Sequence, residues 1–191
     1  MTQPQSTRAS ARKVGGIVGL SSILTLAVPV VALIVALLSR SLLLLTYVHV
    51  LTGGTWTGID LFMGLVMSRV LGGLSTQSRV EVIKKLVPIM LFFMPALASV
   101  AITAGVYLAI SLGWSFFSTP IIAAFIIVVI LSVQGFVLIL PNEVRVFLEL
   151  RKENPDTEKI VKLGMRNFYF AGSQTVFQIA IIFVMAYMGT I

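Results

Sequence analysis

Five long apolar segments, separated by short polar stretches, constrain this chain more than any other feature. A helix that crosses a bilayer core needs about 20 predominantly apolar residues. Five segments meet this requirement, at residues 17–38, 41–70, 86–114, 120–140 and 168–188. Hydrophobic residues make up 58% of the 191 residues and charged residues only 11%, which is far from the composition of a soluble domain. The sequence therefore predicts an all-α, polytopic integral membrane bundle of five transmembrane helices in the cell membrane, embedded in lipid.

Basic residues lie almost entirely on one side of these segments. Thirteen of the 14 lysines and arginines lie before the first segment, at the end of the second or between it and the third, or between the fourth and fifth, and Arg40 is the exception. Because basic residues collect in cytoplasmic loops, this pattern predicts that the N-terminus is inside and the C-terminus outside. The same rule explains the net charge of +7, so that charge does not indicate a nucleic-acid partner.

The polar stretches divide the chain into a tail and one domain. Residues 1–14 are polar and basic, which predicts a disordered tail. Residues 15–191 form a single transmembrane helical domain. Residues 141–167 are predicted to be a cytoplasmic helical extension, in which Asn154 and Pro155 end one helix and Asp156 or Thr157 begins the next.

The second segment carries two ionisable side chains, His49 and Asp60, 11 residues apart and hence about three turns along one face of a helix. Ionisable groups inside a membrane are costly, so this face is expected to point into the bundle. At 100° per residue the face contains His49, Gly53, Trp56, Asp60, Met63 and Met67. Gly54 and Gly58 form a small-xxx-small pair, which predicts close approach of another helix.

Glutamines in the later segments offer partners for Asp60. Gln134, Gln174 and Gln178 lie at a similar depth, and the last two share a helix face. We expect a polar cluster of Asp60, Gln134, Gln174 and Gln178. Two interpretations stay open, hydrogen bonding between helices and a site for an ion or a proton.

His49 is the only histidine, and an imidazole at this depth needs a hydrogen bond, a metal or a haem iron. Proton relay is a further interpretation. A haem held by His49, with Gly53 and Trp56 beside it, would take its second axial ligand from Met, Lys, water or another subunit. A copper site of His49, Met63 and Met67 is the alternative. The absence of cysteine excludes thiolate ligands and iron–sulfur clusters.

The run from His49 to Gly58, with a histidine seven residues before Trp56-x-Gly58, resembles CopD-type copper-resistance membrane proteins, HemJ-type protoporphyrinogen oxidases and their uncharacterised relatives. The resemblance covers about 45 residues. It implies that His49 binds haem b. It also implies that Lys84 or Lys85, before Pro88-Ile-Met90, matches the lysine of a later helix in the HemJ-type family.

Three functions follow as alternatives. The first is a haem-binding, redox-linked membrane protein, and the second is a metal or ion transporter with Asp60 and the glutamines on its path. The third is an accessory subunit that assembles with other membrane subunits or as a homo-oligomer. The sequence contains no P-loop, dinucleotide fingerprint or Ser/His/Asp set, and it leaves open whether the protein is an enzyme.

Overall fold

The computed structural model describes residues 20–190, with side chains from residue 24, and that range folds into five helices without a strand. The helices are α1 (Leu20–Ser39), α2 (Leu42–Gly72), α3 (Thr76–Ser111), α4 (Thr119–Glu149) and α5 (Thr157–Met188). The predicted all-α helical bundle is therefore confirmed. The predicted disordered tail lies outside the described residues, as do the first three residues of the predicted first span.

Four of the helices, α2 to α5, are long and apolar enough to cross a membrane. They have 31 to 36 residues each, so at about 1.5 Å per residue they exceed a hydrocarbon core of about 30 Å. The apolar part of α1 that is described, Leu24–Ser39, is shorter. α3 begins ten residues before the predicted span, because Ser75 caps it by accepting a hydrogen bond from the Ser78 amide.

The turn between α1 and α2 is unusually tight. Arg40 has a φ of 53°, in the left-handed region that disfavours side chains with a Cβ. Ser41 then caps α2 by accepting a hydrogen bond from the Leu44 amide at 3.3 Å. One strained residue and one cap are sufficient to reverse the chain here without glycine or proline.

Three buried apolar clusters hold the helices together. At one end of the bundle Ala36, Val48 and Ala104 join α1, α2 and α3. In the middle Trp56, Ala98 and Leu131 join α2, α3 and α4. At the other end, where most basic residues lie, Ile83, Val146 and Ile160 are fully buried between α3, α4 and α5. Only 6% of the most apolar stretch of α4 is buried, so most of this helix faces outward.

The closest helix crossing brings Gly64 of α2 against Gly172 of α5. A Cβ at Gly64 would lie 2.2 Å from the Gly172 Cα, so no side chain fits there. Gly64 belongs to a π-helical stretch, Phe62–Met67, and α4 has a second one, Val133–Ile139. The prediction that Gly54 and Gly58 form the close approach is wrong for the helices of residues 20–190, where a Cβ at either glycine would meet nothing within 4 Å. Their backbone lies on the outward side of α2.

Candidate functional site: two cavities along α2

The polar face of α2 opens into two separate cavities. The histidine cavity, lined by His49, has a volume of about 590 Å³. The carboxylate cavity, lined by Asp60 and Glu143, has a volume of about 80 Å³. Ile102 of α3 lines both cavities, so the wall between them is thin. One helix face therefore contributes to two sites of different size and chemistry.

The imidazole of His49 is held flat against α3. Its Nδ1 lies 2.9 Å from the Ala101 carbonyl oxygen, which can only accept, so Nδ1 carries the proton and donates it. A Cβ on Gly105 would come within 2.8 Å of the ring carbon Cε1, so this glycine leaves the room that the ring occupies. The neutral ring then has a free lone pair on Nε2, and no described residue hydrogen-bonds to that atom. Metal-ligating histidines have this arrangement, in which the second nitrogen donates to a carbonyl.

Apolar and aromatic side chains form most of the histidine cavity. Its volume falls within the range of sites for small molecules and cofactors, about 300–1,000 Å³. Trp114, Phe116 and Phe125 supply aromatic surface, and Met185 and Met188 of α5 supply two thioether sulfurs. The cavity thus combines one nitrogen ligand with apolar walls and soft sulfur atoms.

Asp60 lies at the centre of the polar contacts in the carboxylate cavity. It is 2% exposed, and its Oδ2 accepts a hydrogen bond from Gln178 Nε2 at 2.8 Å. Trp56 lines the same cavity as this carboxyl group. Glu143 of α4 lines the same cavity, is 8% exposed, and makes no hydrogen bond or ion pair with any described residue. Two buried carboxyl groups therefore share a cavity that no lysine, arginine or histidine lines.

The other predicted cluster residues lie near Asp60 but bind different partners. Gln174 lines the carboxylate cavity, and its Nε2 donates to the Leu131 carbonyl at 3.1 Å. Gln134 donates to Ser173 Oγ at 3.2 Å. The amide oxygens of Gln134 and Gln178 are buried and have no hydrogen-bond partner. Of the four predicted cluster residues, only Asp60 and Gln178 are hydrogen-bonded to each other, whereas Gln134 and Gln174 bond to Ser173 and Leu131.

The structure does not bring the predicted copper ligands together. His49 and Met63 line different cavities and are 14 residues apart, about 21 Å along the helix. Met67 lines neither cavity, whereas Met90 and Met94 join Met63 around the carboxylate cavity. Within residues 20–190 no group of three or more His, Cys, Asp or Glu side chains is placed to hold a metal ion.

Gly53 and Trp56, predicted beside a cofactor at His49, lie elsewhere along the face. A Cβ on Gly53 would touch the Ala101 Cβ at 3.9 Å, so Gly53 packs against α3. Trp56 is buried in the middle cluster and lines the carboxylate cavity, not the histidine cavity. The immediate neighbours of the imidazole are instead Ala101 and Gly105.

Sequence reasoning missed Glu143, because it lies three residues beyond the apolar segment, in the predicted cytoplasmic extension. The missed signal was its helical spacing. Glu143 and Phe147 are four residues apart and share one face, and both are buried. Met185 and Met188, close to the last residue of α5, carried no signal that would place them beside His49.

Comparison of the chain with protein-family models, with curated proteins and with solved structures finds no match.

Proposed function

We propose that this membrane protein binds haem b through His49 and takes part in a redox-linked reaction. The observation that carries the proposal is the geometry of the imidazole. Its Nδ1–H is committed to the Ala101 carbonyl, and its Nε2 is left as a free ligand beside a large apolar cavity. A ring fixed in this tautomer is prepared to coordinate iron.

The chemistry of the cavity favours haem over a bare metal ion. A porphyrin supplies four nitrogen ligands, so the protein needs to provide only one or two axial ligands. His49 can provide the first, and Met185 or Met188 of α5 can provide the second. A bare ion at His49 would need a larger set of protein ligands, and residues 20–190 contain no group of three or more His, Cys, Asp or Glu side chains that could supply it.

The protein's own residues would position the group and protect it. The Ala101 carbonyl fixes the imidazole tautomer, and Gly105 sets the closeness of the ring to α3. Aromatic walls from Trp114, Phe116 and Phe125 would exclude water. A bound haem would supply one-electron chemistry within the membrane.

An absorption spectrum of protein purified from haem-replete membranes tests the proposal. We expect a Soret band in the wild type and its loss in His49→Ala. Gly54→Ala is the matched control, since it alters the same helix where a Cβ meets nothing, and it should keep the band. A colourless wild-type protein, or an unchanged band in His49→Ala, would contradict haem binding at this site.

Transport of a soft metal ion is a second candidate, favoured by a different observation. Three thioethers, from Met63, Met90 and Met94, converge on the cavity that contains Asp60. Thioethers prefer soft ions such as Cu(I). Uptake of Cu(I) into proteoliposomes that survives Asp60→Asn and Met94→Leu unchanged would exclude this path.

A further inference from the structure

The carboxylate cavity combines two acidic groups with surroundings that do not neutralise them. Asp60 and Glu143 are 2% and 8% exposed. The remaining side chains around the cavity are apolar, thioether or uncharged polar groups. Both groups line one cavity of only about 80 Å³, so two like charges would share a small space.

The basic residues on the surrounding helices are directed elsewhere. Arg69 of α2, Lys84 and Lys85 of α3 and Arg145 of α4 are exposed. Arg166 of α5 is also exposed, and its guanidinium donates to Asn142 and lies over the Phe170 ring. None of these cations lines the cavity, so the carboxyl groups have no counter-ion among residues 20–190.

Two ionised carboxylates in such a site would be strongly unfavourable. Burial removes the hydration of both charges, and the two charges repel each other. In a membrane bundle, a bound proton or another small cation would reduce this repulsion and the cost of burying the charges. We therefore expect at least one positive charge to reside with the pair at neutral pH.

Gln178 provides an independent indication that the resident cation is a proton. Its side chain is buried, its Nε2 donates to Asp60, and its Oε1 has no partner. A glutamine amide can hydrogen-bond to either the ionised or the protonated form of a carboxyl group, because a 180° rotation about its Cγ–Cδ bond exchanges the NH₂ group and the oxygen. The Nε2 group donates a hydrogen bond to the ionised carboxylate, and the unpaired Oε1 would accept a hydrogen bond from the O–H of the protonated acid.

The position of Glu143 defines a route to Asp60. Glu143 is three residues beyond Leu140, towards the end of the bundle where Asn142, Arg166 and Asn167 form a polar network. The cavity between Glu143 and Asp60 has about 80 Å³, enough for two or three water molecules at roughly 30 Å³ each. The π-helical stretches of α2 and α4 both contribute to its wall, and such stretches are frequent at functional sites.

We propose that Asp60 and Glu143 share one exchangeable proton, with Gln178 as the amide that accommodates both states of Asp60. The proton enters from the basic end of the bundle through Glu143. This site does not depend on haem binding at His49.

Infrared difference spectroscopy of the purified protein in lipid nanodiscs tests the proposal. At neutral pH we expect the carbonyl stretch of a protonated carboxylic acid, with a shift in D₂O and loss of the band at high pH. Asp60→Asn and Glu143→Gln should each displace the band, and the double variant should lose it. Glu153→Gln, in an exposed loop, is the control and should leave the band unchanged.

Three outcomes would overturn the proposal. They are the absence of the band in the wild type at neutral pH, its persistence in the double variant, and its removal by added sodium at constant pH and ionic strength. The last would assign the site to sodium instead of a proton. The wild-type measurement does not require any variant to fold, and circular dichroism of each variant identifies those that do not.

Discussion

The histidine cavity and the carboxylate cavity lie on one face of α2, yet they differ in size, charge and contacts. The first has about 590 Å³, apolar walls and one imidazole held by a backbone carbonyl. The second has about 80 Å³, two carboxyl groups and a glutamine. The difference comes from the neighbours of α2. Near His49 the face meets small residues of α3, whereas near Asp60 it meets polar residues of α4 and α5.

The largest expected loss of stability comes from a substitution at the close crossing of α2 and α5. Gly64→Ala places a Cβ 2.2 Å from the Gly172 Cα, and two helix backbones cannot yield as a flexible side chain would. We expect a loss of about 3 kcal/mol in the free energy of unfolding, measured by denaturant titration in detergent. Gly54→Ala on the same helix should be neutral or stabilising by up to about 1 kcal/mol. Equal stability of the two variants would contradict the close crossing.

The next largest loss of stability is expected when Asp60 loses its hydrogen bond from Gln178. Gln178→Leu removes the amide that donates to Oδ2, so a buried carboxyl group loses its hydrogen bond. We expect about 2 kcal/mol of destabilisation, because the bond involves an ionisable group in a buried site. Gln134→Leu, which removes a bond to a serine hydroxyl, should cost about 1 kcal/mol. If Gln134→Leu is the more damaging variant, Asp60 is not the centre of the cluster.

A smaller effect, on haem affinity, is expected for a substitution beside the imidazole in the histidine cavity. Gly105→Ala should push the imidazole away from the Ala101 carbonyl, since the added Cβ would lie 2.8 Å from Cε1. We expect about tenfold weaker haem binding in a titration of the apoprotein, equivalent to about 1.4 kcal/mol. Gly53→Ala, whose Cβ would make an ordinary contact at 3.9 Å, is the matched control. Identical affinities for the two variants would show that the ring position is unimportant.

The smallest effects compare the sulfur atoms of the two cavities. Two double variants replace methionine by leucine at nearly constant volume, Met185→Leu with Met188→Leu and Met63→Leu with Met94→Leu. Each substitution should lower the free energy of unfolding by less than about 1.5 kcal/mol. Only the first pair should change the absorption spectrum of the haem-loaded protein, because only those residues line the histidine cavity. A spectral change from the second pair alone would contradict haem binding in the histidine cavity.

The sequence anticipated much of the architecture and only part of the sites. The all-α bundle and the polar face of α2 were both visible in the spacing of residues. Gly64 and Gly172 are 108 residues apart in sequence, so no local pattern distinguishes their contact from the small-residue pair Gly54 and Gly58. Glu143 was missed because a charged residue beyond an apolar segment usually faces water, whereas here α4 packs that face against α3 and α5.

Hydropathy is a local property of about 20 consecutive residues, so the sequence by itself determined that the chain forms apolar helices suited to a bilayer. Helical periodicity is also local, so it determined that His49 and Asp60 share one side of α2. Which side chains meet across helices depends on the depth and rotation of each neighbour. Only the tertiary structure therefore decided that His49 contacts Gly105 and shares a cavity with Met185 and Met188, while Asp60 bonds to Gln178 and shares a cavity with Glu143.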